Sequence, residues 1–91
     1  MAKINDIEPF LKSSLDKENI ICDFHWNNIF LEFADKFCQG KTPKQTRAKF
    51  NYEAKKLVKV GYCTHSYDYL NGMDRANVGC RTINSYRLKT L

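Results

Sequence analysis

The sequence lacks the features that mark export, membrane insertion and disulfide-bonded folds. Its 91 residues include only two prolines, four glycines, four cysteines and one tryptophan. No run approaches the ~20 apolar residues that a membrane-spanning helix needs. Residues 1–10, MAKINDIEPF, contain no apolar signal core. We therefore expect a cytoplasmic chain with reduced cysteines and no membrane partner.

Motifs for catalysis are also missing. The sequence has no glycine-rich phosphate loop, no paired acids and no recognisable nucleophile–base pair. Glu53 is isolated, and Asp68 and Asp74 belong to a predicted hairpin. We predict that the protein is not an enzyme and uses no cofactor.

Two short cysteine–histidine pairs leave a metal site as an alternative. Cys22 and His25 are three residues apart, and Cys63 and His65 are two apart, with Cys38 and Cys80 as further thiols. A tetrahedral zinc site needs four such ligands, usually paired on tight turns. Because the first pair lies at a predicted helix start and the second on a predicted strand, the spacing favours buried thiols over metal ligands.

Charge is divided unevenly along the chain. Residues 1–40 carry four Lys and seven acids, whereas residues 41–91 carry eleven Lys or Arg and three acids, for a formal net charge of +5. A composition of 43% hydrophobic and 27% charged residues indicates one globular domain spanning 1–91. The segregation of charge predicts an acidic partner for one face.

Three helices followed by two strands are predicted from the hydrophobic periodicity. The first helix is expected near Ile4–Leu15, followed by a polar connection at 16–19. The second is expected to start at an N-cap Asp23, with Cys22 in line with its buried stripe of aromatic residues. The third is expected to open with Thr42–Pro43 and to end at a left-handed Gly61. Residues 62–70 and 80–88 then alternate with the period of strands, and Asn71–Gly72 favours a turn between them.

The third helix and the residues after it resemble a known DNA-binding family. The stretch TRAKFNYEAKKLVKVGYC is similar to the recognition helix of winged helix-turn-helix domains, with Leu57, Gly61 and Tyr62 at its Leu-x-x-x-Gly-hydrophobic positions. SYRLK at 85–89 resembles the closing strand of a wing. The resemblance implies an α+β fold, a three-helix bundle followed by a β-hairpin wing. It also implies that the third helix enters the major groove while the wing contacts DNA backbone or minor groove.

Carried onto this sequence, the resemblance implies a set of DNA contacts. Gln45 is expected to read adenine, and Ala48 or Tyr52 to touch a thymine methyl group or the sugar edge. The remaining cations are expected to hold phosphates. The nucleic-acid-binding residues are then Thr42, Lys44, Gln45, Arg47, Lys49, Tyr52, Lys56, Arg75 and Arg81.

The position of the cations within the third helix separates two interpretations. Lys55, Lys56 and Lys59 lie in its C-terminal turns, where the helix dipole stabilises positive charge without any ligand. Lys44 and Arg47, followed by Lys49, lie in the first two turns, where the dipole disfavours them. An external polyanion would compensate for this arrangement.

These observations predict a small basic regulator that binds double-stranded DNA, with Phe24 and Leu31 as the candidate residues of a homodimer interface. The frequent Lys, Asn, Ile and Tyr are typical of AT-rich coding genomes, including those of phages and other mobile elements. The alternative is a protein-interaction module or inhibitor whose basic face binds an acidic surface of a host nucleic-acid machine.

Overall fold

The chain folds into three helices and a small antiparallel sheet. A computed structural model describes residues 6–24, 27–69 and 82–89. The α+β class predicted from the sequence is confirmed. In chain order the elements are α1 (Ile7–Glu18), β1 (Ile20–Cys22), α2 (Asn28–Phe37), α3 (Pro43–Lys59), β2 (Cys63–Tyr69) and β3 (Thr82–Leu88).

The sheet has three strands among the described residues, in the order β1-β3-β2. The sequence predicted only the hairpin strands, and the polar connection expected at 16–19 is in part the last turn of α1. Asn19, in the left-handed region at φ +69°, ends that helix and turns the chain into β1. Ile21 pairs with Tyr86 of β3, which pairs in turn with His65 of β2. This row lies on the face of the sheet that meets the helices.

The start of α2 differs from the prediction. Asn27 is its N-cap, and Asn27 Oδ1 accepts hydrogen bonds from the backbone N–H groups of Ile29 and Phe30 at 3.0 and 3.3 Å. Asp23, the predicted cap, follows β1 and is only 2% exposed. Cys22 belongs to β1 and not to the stripe of α2. β1 is only three residues long, and the β-propensity of so few residues was too weak a signal to distinguish the strand from the start of a helix.

Aromatic rings from two helices and the sheet build the core. Phe50 of α3 lies at its centre, with ring centroids 5.4 Å from Phe30, 5.2 Å from Phe33 and 6.2 Å from Tyr86. All four side chains are buried. The edge-to-face geometry of these pairs adds to the free energy gained by burying their apolar surface. The buried aromatic stripe predicted for the second helix is confirmed at Phe30 and Phe33.

Of the two residues predicted to form a dimer interface, Leu31 lies on the exposed side of α2 and Phe24 lies before the helix begins. Leu31 is 50% exposed, whereas Phe24 is half-buried. Exposure of a single leucine is common on monomeric proteins. The homodimer therefore stays a prediction.

The bounds predicted for α3 are confirmed by its caps. Thr42 Oγ1 accepts from the Gln45 N–H at 3.1 Å, and Gln45 Oε1 accepts from the Thr42 N–H at 3.0 Å, which forms a capping box. Pro43 occupies the first helical position. Gly61 follows the C-cap with φ +82°.

Gly61 offers a test of this helix end. Its substitution by alanine is expected to lower the free energy of unfolding by about 1 kcal/mol, because an L-residue is strained at positive φ. A Cβ there would meet no atom within 4 Å, so a steric clash does not contribute. Urea unfolding measures the difference, and Gly61→Asn should lose less because asparagine tolerates this region. Equal stability of Gly61→Ala and the natural chain would contradict the cap.

Candidate nucleic-acid interface

One stripe of α3 faces away from the core along its whole length. Thr46, Phe50, Ala54 and Leu57 are buried. At helical spacing on the opposite side lie exposed residues, in the order Lys44, Ala48, Tyr52, Lys55 and Lys59. The stripe thus combines three cations, one aromatic ring and one small side chain that permits close approach to the helix backbone.

The charge of the protein is concentrated on this helix. α3 contains six Lys or Arg and one acid, so its formal charge of +5 equals the net charge of the whole chain. Its first turn contains no acid. Lys44 is exposed and Arg47 is half-buried. No carboxylate within the described ranges lies within 4.0 Å of Lys44 Nζ.

Glu53 compensates two of the predicted phosphate-binding lysines. Its carboxylate lies 2.9 Å from Lys49 Nζ and 3.3 Å from Lys56 Nζ, and its side chain is only 11% exposed. Lys49 therefore has an intrachain partner that the sequence analysis did not assign to it. The cationic stripe persists through Lys44, Lys55 and Lys59, which the described part of the chain supplies with no acid.

The same two lysines bracket Tyr52. Lys49 Nζ lies 5.6 Å and Lys56 Nζ 4.6 Å from the centroid of the Tyr52 ring, which is a cation–π geometry. The tyrosine side chain is nevertheless 60% exposed. Tyr52 therefore offers an exposed aromatic surface beside two cations.

Gln45 already has a structural role. Its side-chain oxygen closes the capping box with the Thr42 N–H. Reading adenine through a paired donor and acceptor requires that oxygen to be released. A lost cap costs about 1 kcal/mol, so the predicted base contact of Gln45 competes with helix stability, whereas Lys44 has no such competing bond.

Two grooves lie along α3, and Tyr52 and Lys56 belong to the lining of both. The α1–α3 groove has a volume of about 510 Å³ and includes two acids, Glu8 and Glu53, among its lining residues. The α3–β2 groove has a volume of about 380 Å³; its lining residues are Tyr52, Lys55, Lys56, Val58, Lys59 and His65. The described lining of the second groove contains no acid, so its charge suits an anion.

A network of hydrogen bonds among buried and half-buried side chains lies behind the second groove. Asp23 Oδ1 accepts from the Asn84 N–H at 2.8 Å, and Asp23 Oδ2 accepts from Asn51 Nδ2 at 2.8 Å and Asn84 Nδ2 at 3.1 Å. Tyr86 donates its hydroxyl to Asn51 Oδ1 at 2.7 Å, and His65 Nε2 lies 2.8 Å from Asn84 Oδ1. We call these five residues the Asp23 network. It connects α3 with the segment after β1 and with both hairpin strands.

Sequence reasoning missed this network because its members are far apart in the chain. Asp23 and Asn51 are 28 residues apart, and Asp23 and Asn84 are 61 apart. No short-range spacing rule brings such residues together. Burial raises the pKa of the Tyr86 hydroxyl well above its ordinary value, so this group remains a hydrogen-bond donor.

The structure offers no support for the predicted alternative of a metal site. Among residues 6–24, 27–69 and 82–89, no group of three or more His, Cys, Asp or Glu side chains is placed to hold a metal ion. Burial raises the pKa of the Cys22, Cys38 and Cys63 thiols, which disfavours the thiolate that a metal requires. His25 and Cys80 lie outside the described residues, as do Arg75, Arg81 and the predicted turn at Asn71–Gly72.

Comparisons with known proteins return no relatives. No protein-family model matches the chain, and neither a curated protein nor a solved structure matches it. Within the described residues, no helix has the length and apolar character needed to cross a bilayer.

Proposed function

We propose that this protein is a small DNA-binding regulator of the winged helix-turn-helix type that places α3 on duplex DNA. The supporting observation is the exposed stripe of α3, on a helix whose charge equals that of the whole chain. A helix of 17 residues is roughly 25 Å long, and the major groove is wide enough for a helix.

The order of the elements supports the same proposal. β1 lies between α1 and α2 in the chain and pairs with β3, the closing strand of the hairpin. This arrangement is compatible with a winged helix, with the segment between β2 and β3 in the position of the wing. Arg75 and Arg81, which we propose as wing contacts, belong to that segment.

The lysine-rich stripe favours contacts to phosphates over direct base recognition. Lys44, Lys55 and Lys59 carry charge but no acceptor, whereas base reading relies on paired donors and acceptors or bidentate groups. Ala48 and Tyr52 provide apolar contact at the centre of the stripe. We therefore propose affinity that depends mainly on the DNA backbone, with modest sequence preference.

Salt dependence tests this proposal. Fluorescence anisotropy of a random labelled duplex, measured at several salt concentrations, should give a log–log slope of about −4 to −5, as expected for five neutralised phosphates. A slope near −1, or no binding at about 50 mM salt, would contradict it. That outcome would favour the alternative partner, an acidic protein surface, since protein interfaces do not release a condensed counterion layer.

A further inference from the structure

The lining of the α3–β2 groove includes His65, whose hydrogen bonding is determined by Asn84 and Asp23. An ionised carboxylate only accepts hydrogen bonds, so Asp23 orients the Asn84 side chain with its Nδ2 towards Asp23. The Asn84 Oδ1 then faces His65 Nε2 at 2.8 Å and needs a donor. His65 therefore carries its hydrogen on Nε2 when it is neutral.

In this tautomer the other ring nitrogen, Nδ1, is unprotonated and can accept a second proton. No described residue forms a hydrogen bond with His65 Nδ1. A proton added there makes the ring a cation and keeps the bond to Asn84. Since the Tyr86 ring stacks on the imidazole with a centroid distance of 5.0 Å, the ring plane stays fixed in both charge states.

The groups that face His65 differ in charge between its two sides. Lys55, Lys56 and Lys59 of α3 line the same groove as His65. Asp23 lies on the other side, behind Asn84. Among the described side chains of the sheet, the other titratable groups near His65 are Tyr67, Tyr86 and Cys63. An anion in the groove would offset the lysines and favour the protonated imidazole.

We propose that the α3–β2 groove binds a phosphate group of the nucleic-acid backbone, and that His65 contributes a contact only when protonated. This inference rests on the proposed function and adds a second DNA-facing site, at the C-terminal turns of α3, to the one at its first turns. The adjoining α1–α3 groove is lined by Glu8 and Glu53 as well as Lys49 and Lys56, so it offers the same ligand no net positive charge. Binding should therefore depend on pH over the range where imidazoles gain a proton, about pH 5 to 8.

The experiment compares duplex binding at about pH 5.5 and about pH 8. One extra phosphate contact should steepen the log–log salt slope by about 0.9 and tighten binding about eightfold at about 0.1 M salt. In His65→Gln, both differences should disappear, since glutamine keeps an N–H donor for Asn84 but gains no charge. The matched control His25→Gln replaces the other histidine of the chain and should behave like the natural protein.

The outcomes separate this inference from the proposed function. A pH effect that persists in His65→Gln, or one that disappears in His25→Gln, overturns the role of His65, as does binding that is equal at both pH values. If the natural protein binds no duplex, the proposed function fails, and inorganic sulfate tests the groove alone. Sulfate should then shift the His65 imidazole resonances in NMR spectra at about pH 5.5, and unchanged resonances would overturn the groove as an anion site.

Discussion

Replacing Asp23 with alanine is expected to lower the free energy of unfolding by about 4 kcal/mol. Asp23 is 2% exposed and accepts three N–H hydrogen bonds, from Asn51 Nδ2 and from the backbone and side chain of Asn84. The substitution leaves three donors of the half-buried Asn51 and Asn84 without their acceptor, at about 1–3 kcal/mol for each donor that stays unsatisfied. Relief from burying a carboxylate offsets part of this cost. For a chain of this size, the loss is a large share of a total near 5–14 kcal/mol.

Urea unfolding followed by circular dichroism measures this loss. Asp35→Ala is the matched control, because Asp35 is an exposed aspartate on α2 and its loss should change stability by no more than about 0.5 kcal/mol. Asp23→Asn should also destabilise the fold, since its amide presents a donor where the network supplies donors. If Asp23→Ala were as stable as Asp35→Ala, the Asp23 network would have no role in holding α3 to the sheet.

Reversing two charges at the start of α3 is expected to weaken duplex binding about 100-fold at about 0.1 M salt. Each lost phosphate contact costs nearly tenfold under these conditions, and the new carboxylates repel the backbone. The variant is Lys44→Glu with Arg47→Glu. Lys49 is left unchanged because its ion pair with Glu53 at 2.9 Å links it to the fold. The salt slope should fall by about 2.

The control for this variant has the same change of net charge on another surface. Lys17→Glu with Lys89→Glu alters exposed lysines of α1 and of the segment after β3. It should weaken binding far less if α3 contacts DNA directly. Circular dichroism should show both variants folded, because the substituted side chains lie at the surface: Lys17, Lys44 and Lys89 are exposed and Arg47 is half-buried. Equal loss of affinity in the two variants would mean that net charge alone, and not this face, determines binding.

The local elements of this fold were predictable because their signals lie within a few residues. The bounds of α3 followed from Thr42, Pro43 and Gly61, each of which acts on the nearest turn of backbone. The buried stripe of α2 followed from rings at helical spacing. Alternation after Gly61 indicated β2 in the same way.

The errors occurred where distant partners decide the conformation. β1 is three residues long and exists through its pairing with β3, so its own residues carry little signal. Asp23 has the composition of an N-cap, but its carboxylate accepts hydrogen bonds from Asn51 and Asn84 instead. The N-cap of α2 is therefore Asn27.

The same division applies to the candidate site. The sequence identified the cations of α3, whose exposed face is fixed by helix geometry, and it singled out Tyr52. It did not show that Glu53 holds Lys49 and Lys56 against that ring. Nor did it place His65 beside the C-terminal lysines.

By itself, the sequence determined the three helices, the hairpin strands and the basic character of one helix face, because capping, periodicity and charge act over a few neighbouring residues. Only the tertiary structure decided which cations have partners, where the grooves lie and how the Asp23 network orients His65. The physical reason is that these features depend on groups brought together from separate segments, and a buried carboxylate must find its donors wherever the packed chain supplies them.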